Sequence, residues 1–245
     1  MKKRSVITVF AIGIIWWLAS FYIANTILLP KPQDVLVLMI VQLQQKLFYQ
    51  SILFTLARLG YGLLLSSAFG FVLGYLCALN NIVDDYFKPI ASMIKSIPNI
   101  AYMIIVLIWL GSELSVILVT FLILFPIFFE AVKSGVASVD PRLLEVLRMY
   151  PETVTNRLKN VYGPAIFPYF LAALKAGVNL GFKVAIMAEV LSQIYIGIGK
   201  SMYIGRINLD MTAIFSWTVW IILIGFTMDM MVEKITSMIR NRMEY

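Results

Sequence analysis

Long apolar runs alternate with short polar segments along most of the chain. Residues 5–29 form the first run, and others lie near 52–79, 97–111, 114–132, 165–191 and 211–232. A stretch of about 20 mostly apolar residues is long enough to cross a bilayer as a helix. The pattern therefore predicts an all-α, polytopic membrane protein with six transmembrane helices. The third run is short and starts at Pro98, so its ends are the least sharply marked. The 165–191 run holds Lys175, Lys183 and Glu189. Ionisable groups are costly in lipid, so protein or water should shield this span. No internal repeat or low-complexity tract interrupts the pattern, and residues 1–245 read as one membrane domain.

The polar segment between Phe129 and Ala165 is long and basic, and its centre, about 138–164, reads as a helical loop. Asp140-Pro141 suits a helix start, with Asp as N-cap and proline at the first helical position. Leu143, Leu144, Val146 and Leu147 follow, interleaved with Arg142, Glu145 and Arg148. Pro151 should end that helix, because proline cannot continue the hydrogen-bond ladder. A second short helix fits Glu152 to Val161, broken by Gly163-Pro164. Two short helices joined by a bend form a knob with both apolar and basic residues. Such a knob suits docking of a soluble partner; a solvated loop resting on lipid headgroups would show the same pattern.

Composition agrees with the bilayer. The chain is 61% hydrophobic and 13% charged, where soluble domains average about 25% charged residues. The first run follows Met-Lys-Lys-Arg, but it is too long for a signal sequence and lacks an Ala-x-Ala-like cleavage pattern, so it reads as a retained helix. With the N-terminus inside and six spans, thirteen Lys and Arg fall on inner segments and four on outer ones. By the positive-inside rule, both termini are cytoplasmic. The net charge of +7 comes from residues at membrane borders. It points to lipid and calls for no nucleic acid. The lone Cys77 cannot form an internal disulfide, and without histidine there is no histidine-based metal site or acid–base chemistry. No catalytic, cofactor-binding or metal-ligating constellation is visible.

Polar residues inside the spans are the remaining candidates. Lys175, Asn179 and Lys183 recur every fourth residue and share one helix face, with Glu189 beyond them. Asn179, Lys183 and Glu189 could line a translocation path that attracts an anionic solute. Alternatively, Lys175 snorkels to the cytoplasm while Lys183 pairs with Glu189 or Asp229. Arg58, near the outer end of the second span, reads as structural. Gly70 and Gly74 allow close helix approach, within the chain or between subunits. Trp16, Trp17, Trp109, Trp217 and Trp220 read as lipid or interface anchors.

The loop resembles the cytoplasmic motif of permease subunits of bacterial ATP-binding-cassette importers: Glu-Ala-Ala, three residues, Gly, nine residues, Ile-x-Leu-Pro. Started at Glu145, the motif's Gly falls on Pro151, its Ile on Val161, its Leu on Gly163 and its Pro on Pro164. Val146 and Leu147 replace the alanines. The stretches 52–79, 94–119, 138–148 and 182–191 are similar to the nitrate, sulfonate and taurine branch of these permeases, which also includes vitamin-precursor permeases. The resemblance implies a permease that takes a small solute from an extracytoplasmic binding protein across the bacterial cytoplasmic membrane. It implies a second permease copy or homologue, and two cytoplasmic ATPases that bind and hydrolyse ATP with Mg. This chain lacks the Gly-x-x-x-x-Gly-Lys-Ser/Thr phosphate loop and should bind no cofactor itself. The ATPase-coupling residues implied are Pro141, Leu144, Glu145, Arg148, Tyr150, Pro151, Arg157, Leu158 and Pro164. Two other classes remain as alternatives, a stand-alone secondary transporter or channel and a membrane enzyme.

Overall fold

The computed structural model describes residues 3–150 and 152–243, and among them all regular structure is helical. Helix α1 spans Lys3–Ile23, α2 Pro32–Leu43, α3 Lys46–Leu79, α4 Asn81–Ser96 and α5 Asn99–Ala137. The loop carries α6 (Pro141–Met149) and α7 (Val154–Arg157), then a π turn at Leu158–Tyr162. Helices α8 (Gly163–Ser192), α9 (Ile198–Ile207) and α10 (Met211–Met243) complete the chain. Four stretches are long and apolar enough to cross a membrane: α3, α5, the continuous Val154–Ser192 stretch and Met211–Ile239. Phe10–Ile23 and Pro32–Leu43 are shorter apolar helices.

Helices α3, α5 and α8 form the centre. They meet so closely because small residues remove the side chains that would hold the backbones apart. A Cβ on Gly70 would lie 2.5 Å from Phe128 Cβ, and one on Gly74 would lie 2.7 Å from the Phe129 carbonyl oxygen. The Gly70–Gly74 pair therefore serves the α3–α5 seam inside the chain. Leu59, Leu124, Phe128, Phe129 and Val132 fill the seam, all at most 2% exposed.

The third and fourth apolar runs join in one helix, α5, broken at Gly111, where φ is +73°. That backbone conformation is open to glycine and disfavoured for other residues. The expected division between runs at 111–114 is thus a local reversal rather than a loop. Ser115 donates to the Val106 carbonyl at 3.1 Å and stitches the two arms together. Before this, α4 ends at Ser96, and Ile97 and Pro98 are extended. Proline disfavours helical backbone in the residue before it.

The short helices α2, α4 and α9 were not expected from the sequence. Helix α2 starts with Pro32 at its first turn and buries Val35, Met39 and Gln42 on one face. Gln42 donates to Ser216 at 3.0 Å and accepts from Trp220 Nε1 at 3.0 Å, tying α2 to α10. Trp217 is 6% exposed and packs on Phe48. It belongs to the core, where the sequence suggested an interface anchor.

Candidate functional site

The polar loop is built as its capping residues dictate. Asp140 accepts from the Arg142 amide at 2.8 Å and starts α6 with Pro141 in the first turn. The helix ends at Met149 with Tyr150 as its C-cap; Pro151 and the Arg148 side chain lie outside the described residues. Thr153 caps the second helix by accepting from the Asn156 amide at 3.3 Å. Here the structure corrects the expected break. Gly163-Pro164 does not end the second helix; the chain runs on through the π turn into α8. Pro164 has no amide hydrogen for an ordinary helical turn. The wider turn closes instead through the Gly163 amide to the Leu158 carbonyl. A Cβ on residue 163 would sit 2.6 Å from that same oxygen, so glycine fits the closure.

The loop's apolar residues face two ways. Val139 is buried, Leu144 and Leu147 are half-buried, and Leu158 packs with Tyr75, Val132, Val136 and Ile166 beneath the loop. Leu143, Val146, Met149, Tyr150 and Val154 face outward, from 47% to 72% exposed. Glu145 is exposed between them, and Arg157 is half-buried. The loop stands on two closely packed supports. A Cβ on Gly135 of α5 would lie 2.5 Å from Ile166 Cα of α8. A force on the loop therefore reaches both helices at their contact.

At the opposite end of the bundle lies a buried charge cluster. Arg58 of α3 donates to Glu189 of α8 at 2.7 Å and to Glu113 of α5 at 2.5 and 2.9 Å. The other Glu189 oxygen accepts from Thr55 Oγ1 at 2.8 Å and from the Gly199 amide at 2.9 Å. Thr55 in turn accepts from the Ile198 amide at 3.0 Å, and Glu113 accepts from the Tyr195 amide at 3.2 Å. Glu189 is fully buried. Its burial is tolerable because both oxygens are paired, one with a guanidinium. A Cβ on Gly199 would lie 2.4 Å from Glu189 Cβ, so glycine lets α9 reach the carboxylate.

The structure separates the path candidates. Glu189 joins Arg58 rather than Lys183. Asn179 donates to Asp229 of α10 at 2.9 Å, and Lys175 lies 3.7 Å from Glu233. Lys183 is exposed and has no hydrogen bond or ion pair among the described residues. Sequence reasoning singled out Glu189 but missed Glu113, Thr55 and α9 as its surroundings. The one available signal was Arg58 and Glu189 inside apolar runs, with Glu113 in the short break between the third and fourth runs. Among the described residues no cluster of His, Cys, Asp and Glu is placed to hold a metal.

A long-helix membrane bundle carrying a two-helix polar knob is the architecture of an importer permease. The chain belongs to the family of binding-protein-dependent transport system inner membrane components, which matches residues 70–241. It is thus the non-catalytic, multi-pass permease component of an ABC transport system. A putative ABC transporter permease of Methanocaldococcus jannaschii is 28% identical, covering 88% of this chain and 83% of its own. The taurine transport system permease TauC of Escherichia coli is 25% identical, over 73% of this chain and 67% of its own. The solved structure of an amino acid ABC transporter aligns with a TM-score of 0.65 at 16% identity, covering 80% of this chain and 94% of that one.

Proposed function

We propose that this permease is driven through its 138–164 loop by two cytoplasmic ATPases, and that it works with a second permease copy or a homologue. An extracytoplasmic binding protein hands it a small solute. The observation that carries this reading is the outward face of α6, where Leu143, Val146 and Met149 are 51%, 47% and 69% exposed on a charged loop. Exposed apolar patches rimmed by polar residues mark interaction sites. A soluble ATPase would seat this face, with Glu145, Arg148 and Tyr150 beside it. Leu144, Arg157, Leu158 and Pro164 would carry the push into α5 and α8.

The same reading gives six crossings with both termini in the cytoplasm. Helix α4 has 16 residues, about 24 Å of helix, too short to cross by itself. Its start is held near the loop by Asp84 and Lys133, while the first arm of α5 ends beside Ser115 at the other side. Together they form one broken crossing. Asn179 and Lys183 would border the path, and Glu189 would brace its outer end. ATP and Mg would be bound by the ATPases alone.

The test is uptake and ATPase co-purification at matched expression. Glu145→Arg and Leu143→Asp should insert normally, abolish uptake and weaken ATPase recovery, while Lys46→Ala should leave recovery unchanged. Normal uptake and recovery in both loop variants would remove the loop from coupling.

A further inference from the structure

We propose that the groove beside the π turn is a binding site for an anionic phospholipid. A cavity of about 370 Å³ opens between α3 and the start of α8, walled by Phe71, Phe167 and Phe170 and edged by Lys159, Gly163 and Pro164. No acidic residue lines it. It lies where the polar loop gives way to the apolar run of α8, at a membrane border.

Two observations select the occupant. The walls are aromatic and suit an acyl chain. The rim is cationic: Lys159 is exposed, with no ion pair among the described residues. A phosphodiester would offer both negative charge and acceptor oxygens to Lys159 at the rim. Basic pockets at the cytoplasmic end of membrane helices take anionic headgroups on these grounds. Gly163, at the end of the π turn, lines the groove; π turns within helices frequently occur at functional sites. Lipid binding here requires no ATPase, although Pro164 also belongs to the proposed coupling loop.

The test is native mass spectrometry of the detergent-solubilised full chain, with its ATPase where the two co-purify. Phosphatidylglycerol and phosphatidylcholine of matched acyl chains are titrated separately. A basic side chain near the surface favours an anionic lipid about fivefold. Wild type should prefer phosphatidylglycerol by at least that factor, and Lys159→Gln should lower the preference about fivefold. Phe167→Trp, which fills the groove, should reduce retention of both lipids without changing the mass of the protein complex. Lys31→Gln, at the other end of the bundle, should behave as wild type. Equal retention of the two lipids, or an unchanged preference in Lys159→Gln, would overturn the proposal. So would a cysteine at position 167 shielded by another protein subunit with no lipid bound.

Discussion

Removing Arg58 is the sharpest perturbation of the buried cluster. The side chains of Arg58 and Glu189 are 7% and 0% exposed, so neither can turn to water when its partner is lost. In Arg58→Met the Glu189 carboxylate keeps only Thr55 and the Gly199 amide. Breaking a buried ion pair by deleting one partner costs about 3–5 kcal/mol. At roughly 2–4 °C per kcal/mol for a chain of this size, the melting temperature should fall by about 6–20 °C. Glu189→Gln should cost less, about 1–3 kcal/mol, because Arg58 keeps Glu113 and the amide still accepts from Gly199. The double variant Arg58→Met/Glu189→Gln buries no charge at this pair and should be more stable than Arg58→Met alone. Thermal unfolding in detergent, followed by size-exclusion chromatography, reads all three. The reasoning is refuted by an unshifted Arg58→Met, or by a double variant less stable than Arg58→Met.

Other predictions follow from the same packing. Gly70→Val must push α3 from Phe128 and should abolish recovery of folded protein, whereas Gly60→Val, which meets nothing within 4 Å, should be recovered normally. Gly111→Val places a β-branched residue at φ +73° and should cost about 1–3 kcal/mol, read as a lower melting temperature. Gly199→Ala should detach α9 from Glu189, making a cysteine at position 195 no less reactive but one at position 198 newly reactive to thiol reagents; an unreactive 198 would contradict this. Asp229→Asn keeps an acceptor for Asn179 and should leave folding unchanged, while Asp229→Leu should lower thermal stability by about 1–3 kcal/mol through the unpaired amide.

Local chemistry was legible in the sequence, and long-range pairing was not. The Asp140-Pro141 start of α6 needs only neighbouring residues, and so does the division after the third apolar run, where Gly111 meets Ser112 and Glu113. The Arg58–Glu189 pair joins residues 131 positions apart, and no helical period connects them. The alternative pairing of Lys183 with Glu189 or Asp229 failed for the same reason: its spacing with Asn179 fixes a face of α8, but not what lies opposite. The Gly163-Pro164 pair was read as a break because proline stops an ordinary helix; a π turn evades that rule by widening the hydrogen-bonded ring. Helix α2 carried the Pro32 start signal and a spacing of Val35, Met39 and Gln42, yet its 12 residues fell below the length that marks a span. Trp217 was misjudged because an aromatic in an apolar run looks alike in lipid and in a core.

The account rests most on the loop receiving an ATPase. A photo-crosslinking amino acid at Met149, which is 69% exposed at the end of α6, tests this directly in membranes containing the whole transport system. Illumination should give an adduct with the mass of permease plus ATPase, and the same probe at Lys46 should give none. An ATPase adduct from position 46 with none from position 149 would contradict the account.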